Sequence, residues 1–379
     1  MPKIRIIEKD LTPAPASGQS DTVVFMAVTG ATATPKLLPG TLSGTELETE
    51  LKKYTEDGSN IKKILDLGGK VLVCDTYAHA KDFITDRNQY DVKFLLVKEN
   101  ATEKATKTDD LETALNIATK RRDCAVVFAK NKAEYLAGDK TALTAQLSTS
   151  TTDAFLNTEL KDNVGKYCIP VFGKLTADER DFDAGVAYIL AFLNSRNKFG
   201  AEWLAVAGSR KGAIPVAGLT AGDLTESEID DMQPREVEVA DTVSVNPICN
   251  VTPWGVRIWG NRTALPLQKI EGTTKYGLVA SSFANIRVLI CDIKKALYKA
   301  ARGQQFEQNT DVLWVNFTSE VNQLLEQMVQ SYGIAGYKWI RTETKERAKL
   351  TAILRIVPIE PVEDFDLTIE LADSLEVTE

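Results

Sequence analysis

The sequence predicts a mixed α/β fold, with sheets flanked by helices and an extended strand arm at each end. Three observations lead there. Short apolar runs alternate with helical patterns through the first half, as in a sheet covered by helices. Two helices with clear start and stop signals follow in the second half. Each terminus carries a period-two apolar segment set off by prolines.

Taken in order, Ile4 and Ile6 flank Arg5, the alternation of a short strand. Asp10 to Ser20 then carries Pro13, Pro15 and Gly18, an extended linker. Residues 22–28, 70–74, 93–97 and 124–128 read as buried strands. A helix begins at Asp109-Asp110, places Leu111, Leu115 and Ala118 at helical spacing, and ends at Lys120-Arg121-Arg122. Lys166 to Phe172 is a further strand. Thr176 to Asn197 is expected as one long helix with acids at its start (Asp178, Glu179, Asp181) and basic residues at its end (Arg196, Lys198).

The stretch Thr220 to Val245 is polar and acidic and reads as an exposed excursion. Val256 and Ile258 then alternate with Arg257 and Trp259 in a glycine-bounded strand. Phe283 to Arg302 is a helix whose Ile286, Leu289, Ile290, Ile293 and Leu297 form one stripe. Its other face carries Arg287, Lys294, Lys295, Lys299 and Arg302 against one acid, Asp292. A second helix is expected from Thr318 to Tyr332, capped by Thr318 or Ser319 and stopped by Gly333. Leu350 to Val357 is an apolar strand, broken by Pro358 and Pro361. Phe365, Leu367, Ile369 and Leu371 then alternate with Asp366, Thr368 and Glu370, a half-buried strand with one acidic face.

A tethered strand needs a sheet edge, because unpaired backbone groups and an isolated apolar face are costly. It can fold back on its own domain or add to a neighbour's sheet; the pattern leaves both open.

Charge and composition exclude several chemistries. The 379 residues carry a net charge of −8. Eight acids and no Lys or Arg lie in the last twenty residues, so the rest of the chain is balanced. A near-neutral body with an acidic end is not a nucleic-acid binder by electrostatics. No apolar run approaches the ~20 residues of a membrane span, and the first ten residues lack the apolar core of a signal peptide, so assembly in the cytoplasm is expected. The five cysteines (Cys74, Cys124, Cys168, Cys249, Cys291) are scattered, most of them inside apolar runs, as expected of reduced, buried thiols. With a single histidine, His79, a Cys/His zinc site is not expected, and no other metal or cofactor is implied. His79 reads as an ordinary surface or partly buried residue. The loop Gly208-Ser-Arg-Lys-Gly212 has residues for an anion but no helical pattern behind it, and reads as a plain loop. Asp181-Phe-Asp183 lacks the remaining ligands of a calcium loop.

Four segments, in order, resemble the contractile tail sheath proteins of phages and phage-tail-like bacteriocins. The first is Arg121-Arg122-Asp123 leading into Cys124-Ala-Val-Val. The second spans Asp183 to Pro215, with Gly185-Val-Ala187, the helix, Trp203-Leu-Ala-Val-Ala-Gly208 and Gly212-Ala-Ile-Pro215. The third is Val245-Asn-Pro-Ile248 followed by Trp254-Gly-Val-Arg-Ile-Trp-Gly-Asn-Arg-Thr263. The fourth is Phe283-Ala-Asn-Ile-Arg287 with its helix, then Phe306-Glu-Gln-Asn309, Leu313-Trp314 and Gly333-Ile-Ala. The chain departs from the family at Ala207-Gly208, where Pro-Ala-Gly is usual, and at Ile286-Arg287-Val288, where a double Arg is usual.

The resemblance implies a structural subunit and no enzyme: stacked hexameric rings around an inner tube, a helical assembly that contracts, and arms that exchange strands with neighbours. Ile4, Ile6, Phe365, Leu367, Ile369 and Leu371 would sit in those arms. The implied organisation is an amino-terminal arm (1–20), an α/β region that is in part an outer domain (21–240), a core sheath domain (241–357) and an acidic arm (358–379). The implied partners are copies of the chain, an inner tube protein, and baseplate and tail terminator proteins, without nucleic acid or membrane insertion. The implied location is a tail or tail-like particle, made in a bacterial cytoplasm. Lys294, Lys295, Lys299 and Arg302 are the candidates to face the tube. A non-contractile baseplate protein and an α/β enzyme are the alternatives.

Overall fold

The computed structural model describes residues 22–38, 44–54, 57–98, 106–131, 164–178, 180–238, 242–342 and 349–363. The predicted amino-terminal arm, with Ile4 and Ile6, and the part of the C-terminal arm from residue 364 on, with Phe365, Leu367, Ile369 and Leu371, lie outside these residues.

The chain opens with β1 (Val23–Ala27), β2 (Lys36–Leu38), α1 (Gly44–Leu51), α2 (Gly58–Asp66), β3 (Lys70–Cys74), α3 (Tyr77–Thr85), β4 (Phe94–Lys98), α4 (Thr106–Arg121), β5 (Ala125–Lys130) and β6 (Cys168–Phe172). The hairpin β7 (Leu175–Ala177) and β8 (Arg180–Phe182) leads into α5 (Ala184–Phe199). Short elements follow: α6 (Gly208–Lys211), β9 (Thr220–Ala221), α7 (Glu226–Met232) and β10 (Glu236–Val237). Then come β11 (Asn246–Val251), β12 (Gly255–Ile258), β13 (Gln268–Lys269), β14 (Tyr276–Gly277), α8 (Ala284–Gly303), α9 (Asp311–Gln330), β15 (Ile334–Thr342) and β16 (Thr351–Pro358).

Eight strands form one sheet in the order β12-β11-β6-β5-β4-β1-β3-β2. Its six inner strands are parallel, and β2 and β12 close the edges antiparallel. The strands read as continuous apolar runs because both faces are covered. Val24, Met26, Val71, Val73, Phe94 and Leu96 pack on one side with α2 and α5. Phe25, Leu72, Leu95, Val97 and Val126 pack on the other with α3 and α4. Helix α5 is buried from Ala184 to Leu193, and Gly185 permits this: a Cβ there would lie 2.5 Å from Leu96 Cδ1. All five cysteines are buried free thiols. The sheet takes β11 and β12 from beyond residue 240, so the expected boundary there does not coincide with the end of a sheet.

Several local expectations need correction. Residues 176–182 are not helical. Leu175, Ala177 and Phe182 are buried at strand spacing, and Asp178 takes the left-handed turn at φ 52°. Among the described acids, Asp183 caps the helix, accepting from the Val186 N–H at 2.9 Å. The Gly208 segment is one helical turn rather than a loop. The 220–245 excursion is partly interior, since Met232, Val243 and Val245 are buried. Helix α9 starts at Asp311, seven residues earlier than expected, because Thr310 caps it by accepting from the Leu313 N–H.

The largest correction concerns α8. Its stripe of Ile286, Leu289 and Ile293 packs on α9 and Trp203, as expected. Up to Lys295 the opposite side does not face solvent; Ala284, Val288 and Cys291 belong to the core under the large sheet. A helix buried on two sides must pair its charges internally. Arg287 lies 4.5 Å over the Tyr167 ring and donates to the Arg122 carbonyl at 2.9 Å. Asp292 accepts from Lys93 at 2.7 Å. Lys93 also binds Glu202. Burial opposes the Lys93 charge, but Asp292 and Glu202 outweigh it and hold the ammonium above its ordinary range.

Candidate functional site

Chain order places α8, α9, β15 and β16 as one C-terminal lobe. Strands β15 and β16 make an antiparallel ribbon from Ile334 opposite Pro358 to Thr342 opposite Thr351. Among the described residues no third strand pairs with either edge. A lone two-stranded ribbon is marginal in water. This one is held by its inner face, where Tyr337, Trp339, Leu354 and Ile356 pack on the helices. Trp339 meets Trp314 and Phe317 edge-on at 5.8 and 5.7 Å, and its indole N–H donates to Asn322 at 2.8 Å.

The outer face is different. Lys338 stands opposite Arg355, and Ile340 opposite Ile353, with Val357 beyond. Like charges placed directly across a ladder repel. Among the described residues neither cation has a carboxylate within ion-pair distance. Ile353, Val357, Ile359 and Val362 are exposed, as are Phe306, Val312 and Val315 near the α8–α9 turn. On the ribbon itself Ile353 and Val357 leave apolar side chains exposed beside an open edge.

The ribbon's exit is tied to the sheet. Ile359 N–H donates to the Gly333 carbonyl at 3.2 Å. The Glu363 carboxylate meets the wholly buried guanidinium of Arg262, whose Nε lies 3.2 and 3.1 Å from its two oxygens. Arg235 donates to the Glu363 carbonyl at 3.2 Å. Asn246 holds the Arg262 backbone on both sides, accepting from its N–H at 2.6 Å and donating to its carbonyl at 2.7 Å. Gly260 makes room for this, since a Cβ there would lie 2.8 Å from the Asn246 amide oxygen. The Asn-Pro-Ile and Trp-Gly-Asn-Arg-Thr motifs thus converge on one node. The motifs were visible in the sequence, but Glu363 was not separable from its acidic neighbours there. The Arg121-Asp123 pair is likewise architectural. Arg121 binds Asp123 at 2.9 Å and the carbonyls of Ile84 and Tyr90, joining α3 to the entry of β5.

The four basic candidates on α8 separate. Lys294 and Lys295 are buried, which removes them from any external surface. Lys295 binds Asp91 and the Val92 carbonyl. Lys299 and Arg302 are exposed and border an open cleft with Arg87, Asn88 and Tyr298. Arg87 lies 5.0 Å over the Tyr298 ring. His79 is exposed and bonds Asp75 at 2.9 Å. Among the described residues no cluster of three or more His, Cys, Asp or Glu side chains is placed to hold a metal, and no helix is long and apolar enough to cross a membrane.

No family model and no curated protein matches this sequence. Solved structures do. A chain of the PVC sheath complex, from an extracellular contractile injection system in its contracted state, aligns with a TM-score of 0.66 at 14% identity. That alignment covers 99% of this chain and 98% of the other. A chain of the anti-feeding prophage baseplate aligns at 0.62 and 11% identity over 98% and 99%. A chain of the same baseplate in the contracted state aligns at 0.59 and 17% over 98% of each. The protein therefore has the fold of these injection-system components across nearly its whole length.

Proposed function

We propose that this chain is a structural subunit of a contractile tail sheath, in a phage tail or a phage-tail-like particle. In this reading it polymerises as stacked six-fold rings around an inner tube and contracts to drive the tube through a target envelope. Its partners are copies of itself, the tube protein, and baseplate and terminator proteins; the particle assembles in a bacterial cytoplasm. The domain plan is a proposal too, with 1–20 and 358–379 as arms on a body whose 241–357 part holds the sheath core.

One observation carries the reading. A strand added to the open ribbon continues its two faces alternately. Phe365, Leu367, Ile369 and Leu371 suit the apolar inner face of Tyr337, Trp339, Leu354 and Ile356. Asp366 and Glu370 suit the outer face of Lys338 and Arg355. The segment and the edge are complementary on both sides. Ile4 and Ile6 offer a second strand for the other edge. Lys299 and Arg302 remain the proposed tube contacts.

A second reading, a non-contractile baseplate subunit, rests on the baseplate chain among the similar structures. Sedimentation of the purified protein separates the two. A sheath subunit forms long, polydisperse polymers as concentration rises. A single discrete oligomer at every concentration rejects the sheath reading and leaves the baseplate one.

A further inference from the structure

Arg262 is wholly buried, whereas the side chain of Glu363 keeps 23% of its exposure. The guanidinium lies 5.4 Å over the Phe283 ring and also donates to the Pro234 carbonyl at 3.3 Å. Among the described residues, Glu363 is the carboxylate that balances its charge. An arginine cannot shed its proton to escape burial. Withdrawing Glu363 therefore leaves an uncompensated cation inside the protein, the costly way to break a buried pair.

Arg262 is also joined to three separate elements. Its backbone is held by Asn246 on β11, and that same amide donates to the Pro170 carbonyl on β6 at 2.8 Å. Arg262 and Phe283, the residue before α8, form a β-bridge. The carboxylate is thus the movable half of the pair and the guanidinium the fixed half.

We infer that Arg262 and Glu363 form a clasp that fixes where the C-terminal segment leaves the body. The exit lies after residue 363, beyond both Pro358 and Pro361. Any pull on residues 364–379 passes through Glu363 into β11, β6 and the start of α8, and does not peel β16 from β15. The clasp stands on contacts within one chain and is independent of the sheath reading.

The test uses the full-length, dissociated protein with Glu363→Ala, Arg262→Met and the double variant. Two quantities are read: the rate of hydrogen exchange at the Ile359 amide, which donates to the Gly333 carbonyl, and the denaturation midpoint. Glu363→Ala is expected to speed exchange by about ten- to a hundredfold. It is also expected to lower the midpoint. Adding Arg262→Met to Glu363→Ala is expected to keep exchange fast but recover the midpoint, because an apolar side chain replaces the stranded charge. An ordinary packing contact gives the opposite, a double variant less stable than Glu363→Ala. That result, or unchanged exchange in Glu363→Ala, overturns the clasp. If Arg262→Met alone does not fold, Glu363→Ala and the double variant still decide.

Discussion

Reversing one charge on the ribbon's outer face should move monomer stability and assembly in opposite directions. Lys338 and Arg355 face each other across β15 and β16. Lys338→Glu converts a repelling cross-strand pair into an attracting one. Opposite-charge pairs across a ladder contribute about 0.2–1 kcal/mol, and like pairs cost a comparable amount. The dissociated monomer should therefore gain about 0.5–2 kcal/mol. In the polymer the same change sets a carboxylate on β15 against the acidic face of an added strand. Two exposed contacts at about 0–1 kcal/mol each would be lost and partly replaced by repulsion. A loss of about 1–2 kcal/mol per joint corresponds to a roughly five- to thirtyfold higher critical concentration. Thermal melting of the monomer and a pelleting series for the polymer read the two effects. Changing Asp366 and Glu370 to Lys in the same chain should restore assembly. A variant that is stabilised yet polymerises at the wild-type critical concentration would show that no acidic strand meets this face.

Other consequences can be checked with the same material. Truncation after Glu363 keeps the clasp, so it should leave the monomer's melting temperature within about 2 °C and abolish long polymers; polymers of normal length would remove the C-terminal segment from assembly. Asp292→Ala strands part of the buried Lys93 charge and should cost about 3–5 kcal/mol in chemical denaturation; a cost below about 1 kcal/mol would mean that this side of α8 is not interior. Glu at both Lys299 and Arg302 should change monomer stability by no more than about 0.5 kcal/mol but stop assembly on the tube while tube-free polymers persist; normal assembly around the tube would give this stripe another partner. Burial alone would raise the Glu50 carboxyl, but Lys36, Lys53 and Tyr54 hold it at about 2. A depressed carboxyl contributes stability above its unfolded value of 4.5, lost as pH falls toward 2. Glu50→Gln should therefore be less stable at neutral pH and lose less between pH 4.5 and 2; parallel acid curves for the two proteins would exclude this contribution.

The parallel strands were legible because burial on both faces leaves apolar runs in β1, β3, β4 and β5, with a lysine only at one end of the last three (Lys70, Lys98, Lys130). Helix α8 was legible as a helix and misread as a surface. A 3.6-residue period detects one apolar stripe, but it cannot tell a solvated lysine from one such as Lys295, buried and bound to Asp91 and the Val92 carbonyl. The β7–β8 hairpin was hidden by the acids at Asp178 and Asp181, which a helix start and a tight turn use equally well. Strand β15 was missed although Tyr337, Trp339 and Arg341 alternate with Lys338 and Ile340, because it follows directly on the helix-ending Gly333 with a polar residue inside its alternation. The clasp joins residues a hundred positions apart, and pairing of that kind has no local signature.

Electron microscopy of the purified full-length protein at high concentration tests the central claim most directly. Tubes or stacked rings with six-fold symmetry are expected, lost when the chain is cut after Glu363. Particles that remain monomeric, or that close into one small oligomer at every concentration, would contradict it.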